Sequence, residues 1–155
     1  MRSDRTDSAP HSAASVLFGV RIAGVGVLLP TDQTLEYVAS ATCFPLPGAG
    51  RRVVGMMQLR GHPIVVLDAA VQPAPARHEI RRAAVLVIGT VPEAGAVLVD
   101  APPEQVETGE VASDAARPGS VFDAALSRPS TDARHADRLW WHTDVRHMFR
   151  ILAGD

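Results

Sequence analysis

The sequence predicts an all-β protein closed by one short C-terminal helix, on three observations. From Val16 the apolar residues alternate with period two, so Val16, Phe18, Val20 and Ile22 share one face and Leu17, Gly19, Arg21 and Ala23 the other. Short aliphatic runs recur between corners rich in Gly and Pro, the residues that permit φ > 0 or fix φ. Only at the end does the period change: Val145, Met148, Phe149 and Leu152 fall at i, i+3, i+4 and i+7, one face of a helix. With 46% hydrophobic but only 5% aromatic residues, the core must be built from Val, Leu, Ile and Ala.

Residues 1–15 are small and polar and read as a disordered leader; a single domain is expected over 16–155. Val16 to Ala23 and Val25 to Leu29 form a hairpin about an Ala23-Gly24 turn, and the glycines at 19, 24 and 26 argue against a helix there. Pro30 ends the second strand. Thr31 to Thr34 is a polar turn with room for one helical turn capped by Thr31 or Asp32. Leu35 to Ala41 is a third strand and carries Glu36. Beyond a loop of Pro45, Pro47, Gly48 and Gly50, two β-rich runs, Val53 to Leu59 and Ile64 to Leu67, flank the corner Arg60-Gly61-His62-Pro63.

Gln72 to His78 is a linker and Glu79 to Arg82 a charged lead-in. Ala83 to Ile88 and Ala96 to Asp100 then make a hairpin that echoes the first in layout. Pro102 and Pro103 interrupt the ladder, since Pro cannot donate to it. Residues 107–120 and 127–137 are polar, with Val121 to Leu126 a short strand between them. Arg138 to His142 is the last strand. Thr143 or Asp144 caps the helix from Val145 to Leu152, which Gly154 stops.

A chain of 155 residues makes one domain or two small intertwined subdomains. The net charge of −2 excludes strong non-specific attraction to nucleic acid or anionic lipid. All fifteen basic residues are Arg. The single Cys43 excludes an internal disulfide and fits a reducing compartment. No apolar run approaches the ~18 residues that span a bilayer, and residues 1–15 lack the apolar core of a signal peptide. A soluble, cytoplasmic protein with no membrane insertion is expected.

The stretch Gly55-Met56-Met57-Gln58-Leu59-Arg60-Gly61-His62-Pro63-Ile64-Val65-Val66-Leu67-Asp68 resembles the signature of the CheW-like adaptor domain. That signature is a Gly, two or three apolar or small residues, Asn-Leu-Arg-Gly, then an apolar strand ending in Asp-Leu. Upstream, Leu35-Glu36-Tyr37-Val38 is similar to the family's apolar-x-Glu-apolar strand. The likeness covers residues 16–110 well and the remainder weakly. Gln58 stands for the usual Asn, and Met56-Met57 for smaller aliphatics, which marks a divergent member.

The resemblance implies two intertwined small SH3-like β-barrel subdomains with a short C-terminal helix. The first barrel would take residues 16–75 with a closing C-terminal segment, and the second residues 80–137. It also implies a non-catalytic adaptor without cofactors, coupling a chemosensory histidine kinase to chemoreceptors in chemotaxis or in twitching motility by type IV pili. The strand edge carrying Glu36, Tyr37 and Val38, as far as Ala39, would bind the kinase's regulatory domain. Arg60 would lie on the surface that meets the chemoreceptor's cytoplasmic tip, and Gly55, Gln58 and Gly61 complete the partner-binding set.

The residues themselves offer a competing class, a small β-barrel that binds a ligand or works as a metal-dependent enzyme through Asp and His. Asp68 and Asp100 each close an apolar run, and two carboxylates suggest acid–base chemistry. A strand-ending Asp more often caps a turn. His135, His142 and His147 follow no metal-ligand spacing. Cys43 has no nucleophile elbow around it and reads as a small buried hydrophobe. Gly48-Ala49-Gly50 lacks the third Gly and the helix of a dinucleotide loop. No catalytic, cofactor or metal residue is therefore assigned. Of Trp140 and Trp141, one indole is expected in the core and one partly exposed as an interface anchor.

Overall fold

The computed structural model describes residues 15–75 and 78–154. The expected leader, apart from Ser15, and linker residues 76 and 77 lie outside the described residues. In chain order the strands are β1 (Val16–Ile22), β2 (Val25–Leu28), β3 (Leu35–Cys43), β4 (Val53–Leu59), β5 (His62–Leu67), β6 (Arg81–Ile88), β7 (Gly95–Leu98), β8 (Glu104–Val111), β9 (Leu126–Asp132) and β10 (Leu139–Thr143); helix α1 (Val145–Ala153) follows. Two of the hairpins turn on two residues each. Ala23 and Gly24 have φ of 48° and 81°, and Arg60 and Gly61 have 48° and 80°. Both are type I′ corners, whose twist matches that of the strands they join.

The strands form a closed barrel in the order β1-β2-β10-β9-β8 and a second five-stranded sheet in the order β3-β6-β7-β5-β4. Two small barrel-like sheets and one terminal helix are the architecture the resemblance implies. A C-terminal segment does close the first barrel, but the chain is otherwise shared between them differently from the expected 16–75 and 80–137. The first barrel takes β1 and β2 from one end of the chain and β8 to β10 from the other, while residues 35–98 build the second sheet alone. Pro102 and Pro103 therefore mark the return to the first barrel, where β8 lies antiparallel to β1, Val16 opposite Glu107.

The first barrel is filled by a single large side chain. Trp140 is fully buried among Leu28 and Val106. A Cβ on Gly19 would sit 2.6 Å from Trp140 Cζ3, and one on Gly26 2.5 Å from the Leu139 carbonyl. The glycines that argue against a helix in β1 and β2 thus also make room for an indole. The Arg21 guanidinium lies 4.8 Å from the centre of its ring, a cation–π contact.

The largest apolar cluster lies where the two sheets meet. It joins Val20, Ile22 and Val27 of the first barrel to Leu86, Ile88 and Val97 of the second, and takes in Phe122, Trp141, Val145, Met148 and Leu152. A separate aliphatic cluster, including Met57, Ile64, Val66, Val85 and Val87, belongs to the second sheet alone. Helix α1 closes the shared cluster. Asp144 caps it by accepting from the His147 N–H at 3.0 Å, and Gly154 (φ 88°) ends it in the left-handed conformation. Phe149 lies directly over Gly95, where any Cβ would force its ring to move.

Several expectations are corrected. Both tryptophans are buried, Trp140 at 0% and Trp141 at 4% exposure, so neither is an exposed anchor. Trp141 is covered by the loop before β9, where Arg117 donates to the carbonyls of Asp123 (3.1 Å) and Leu126 (2.8 Å) and lies over the indole ring. Val121 to Leu126 is not a strand; Asp123–Ala125 is a 3₁₀ turn and the strand begins at Leu126. The polar stretches 107–120 and 127–137 hold most of β8 and β9. Thr31 to Thr34 is a turn without a helix.

Candidate functional site

β3 and β4 are the outer strands of the second sheet, and the seam between them is joined differently at its two ends. At one end Phe44 and Met56 exchange two backbone hydrogen bonds of 2.8 Å. Gly55 permits this approach, because any Cβ there would collide with the Phe44 carbonyl. At the other end the seam is spanned by side chains. Arg60 Nη1 and Nη2 both donate to Glu36 Oε2, at 2.9 and 2.8 Å. Arg60 stands at the tip of the β4–β5 hairpin in a left-handed conformation, and Glu36 is the second residue of β3.

The two residues assigned to separate surfaces from the sequence thus form one ion pair. It is wet: the side chains are 62% (Arg60) and 41% (Glu36) exposed. Such a pair is worth only about 0–1 kcal/mol in stability, so it leaves both charged groups accessible from outside. Gln58 and Gly61 are exposed beside it. Tyr37 and Val38 are half-buried, Tyr37 against the shared core and Val38 against the cluster of the second sheet. Gly55 is buried, and its place is in closing the seam. The sequence reading missed a break in pairing between Val38 and Ala41, where Ala39 and Ser40 are exposed. Its only trace in the sequence is the run of small residues.

The groups weighed for chemistry are engaged otherwise. Asp68 and Asp100 line the same trough between the barrels, yet each carboxylate accepts from a backbone N–H: Asp68 from Ala70 at 2.9 Å and Asp100 from Gly24 at 2.8 Å. Burial, and secondarily the charge of Arg128, lowers the His142 pKa below the ordinary histidine value; its Nε2 lies 3.4 Å from Ser130 Oγ. Burial raises the Cys43 thiol above the usual range, against a smaller opposing effect of Arg81, which keeps it protonated and poorly nucleophilic. Among the described residues no group of three or more His, Cys, Asp and Glu could hold a metal ion. No helix of the described residues is long and apolar enough to cross a membrane.

No family model matches the chain, and no curated protein matches it in sequence. Among solved structures it is similar to the scaffolding protein TtCheW from Thermoanaerobacter tengcongensis. The TM-score is 0.62 over 93% of this chain and 93% of that one, at 15% identity. In fold the chain is CheW-like.

Proposed function

We propose that the chain is a divergent member of the CheW-like adaptors. It would act as a non-catalytic scaffold coupling a chemosensory histidine kinase to chemoreceptors, in chemotaxis or twitching motility. The observation that carries this reading is the fold, two small barrels similar over 93% of both chains to a scaffolding protein. The signature Leu59-Arg60-Gly61 and the strand Leu35 to Val38 support it from the sequence. The kinase's regulatory domain binds the β3 edge from Glu36 to Ala39, and the receptor tip binds at the Arg60 corner. The two partners then meet side by side across the Glu36–Arg60 pair, whose accessible charges set orientation and whose half-buried neighbours Tyr37 and Val38 supply apolar contact.

Pull-down with a cognate kinase regulatory domain and a receptor-tip fragment tests the reading. Glu36→Arg is expected to lose the kinase domain and Arg60→Ala to weaken the receptor fragment. Retention of both partners by both variants refutes the assignment.

A further inference from the structure

Three neighbouring hollows that share lining residues lie at the end of the second sheet remote from Glu36 and Arg60. The first, about 150 Å³, is lined by the Pro45–Gly50 loop together with Val53 and Val54. The same two valines wall a small hollow of about 20 Å³, bounded on its other side by Arg51, Arg52 and Arg81. Arg81 and Asp68 also line the trough between the barrels, about 300 Å³, whose lining includes Arg82, Asp100 and five alanines. The run is therefore apolar, then basic, then a trough of alanines in which Arg81 and Arg82 stand with Asp68 and Asp100.

Four arginines, Arg51, Arg52, Arg81 and Arg82, outnumber the two carboxylates of the run, Asp68 and Asp100, and Asp100 already accepts from the Gly24 N–H. None of their three ion pairs uses Arg51, Arg52, Arg81 or Arg82. One nitrogen of Arg52 donates to the carbonyls of Asp68 (3.1 Å) and Ala70 (2.6 Å), which holds that guanidinium in place. Asp68 is the one carboxylate in the small hollow, and it is already bonded to Ala70. The chain as a whole carries −2, so this basic density is local. Exposed apolar groups gather in the bounding segments: Phe44 (46%), Leu46 (40%), Val71 (63%) and Ile80 (61%).

We propose that this run is a docking groove for an extended acidic segment of a partner protein, one whose carboxylates are flanked by aliphatic side chains. Arginine suits the task because its planar fork of donors meets a carboxylate in a bidentate way. Aliphatic side chains on either side of the carboxylates would enter the loop hollow and the trough. A membrane surface is disfavoured because the arginines line a concavity rather than a convex face. A single-stranded nucleic acid is disfavoured because, among the described residues, only Phe44 and His78 are exposed aromatic groups at these hollows, too few for a stacking platform. The proposal is independent of the kinase and receptor assignment.

The test is selection of binders from a random twelve-residue peptide library displayed on phage, with the immobilised full chain as target. Anisotropy titration of the selected peptides follows, against the wild type, Arg51→Glu/Arg82→Glu and Arg60→Ala. Arg51 and Arg82 are exposed, so the double variant is expected to melt at the wild-type temperature. The expected result is a consensus of Asp or Glu beside Leu, Ile or Val. Binding should weaken by at least about tenfold in the double variant and be unchanged in Arg60→Ala. Failure to enrich any peptide, a consensus without carboxylates, or equal binding to the double variant overturns the proposal. So does binding of anionic phosphatidylglycerol vesicles or oligo(dT) in preference to the peptides.

Discussion

The Glu36–Arg60 pair should be nearly silent in stability and prominent in binding. Its side chains are 62% and 41% exposed, so solvent screens the attraction, and a double-mutant cycle should give a coupling of about 0.2–1 kcal/mol. Glu36→Ala should cost no more than that. Arg60→Ala should cost about as much, because it removes the pair but keeps a residue with a Cβ at φ 48°. Arg60→Gly removes the same pair yet relieves a left-handed strain of about 1–2 kcal/mol, so it should be more stable than Arg60→Ala. Urea unfolding monitored by tryptophan fluorescence measures all four corners of the cycle. In partner binding, by contrast, truncating one member of a desolvated charge pair typically costs about 2–5 kcal/mol. A stability coupling above about 3 kcal/mol would mark the pair as a structural clamp shut away from water. That result would refute the reasoning that leaves it open to partners.

Three further outcomes follow from the packing and the ionisation. Gly19→Ala should destabilise by about 1–3 kcal/mol through its collision with Trp140, and by clearly less in a Trp140→Leu background; additivity of the two changes in urea would contradict a lumen filled by that indole. Because the His142 pKa is lowered in the fold, the unfolded chain binds more protons, so this group's contribution to stability falls as pH drops below about 6.5 towards the folded value. His142→Gln should flatten that dependence, seen as melting temperature against pH. Asp144→Ala should cost about 1 kcal/mol by removing the cap of α1, readable by chemical denaturation; no change would show that the helix is held by its apolar face alone.

The first hairpin, β4, β5, the β6–β7 hairpin and α1 were legible because each carries its own periodicity and turn chemistry. β8 and β9 were not. The lumen they help enclose is filled by Trp140, so β8 needs only Val106 pointing inward, and apart from Gly109 and the exposed Val111 the rest of its sequence is polar. Glu104 and Glu107 pair with Arg138 (2.8 Å) and Arg134 (3.4 Å), contacts between segments distant in sequence that no local pattern announces. Pro129 sits inside β9 opposite Trp141, where propensity alone argues against a strand. Trp141 is buried in the apolar cluster between the two sheets with Arg117 over its ring, again a tertiary fact. In the candidate site, Glu36 and Arg60 were each legible through the resemblance, but their meeting depends on where β3 and β4 fall in the sheet order.

The most direct trial of the adaptor reading is analytical ultracentrifugation of the purified chain mixed with a kinase regulatory domain and a receptor-tip fragment. Sedimentation of one species containing all three is predicted, reduced to a two-part complex by Glu36→Arg. Strictly exclusive binding of the two partners, or no association with either, would contradict a scaffold that joins them across this seam.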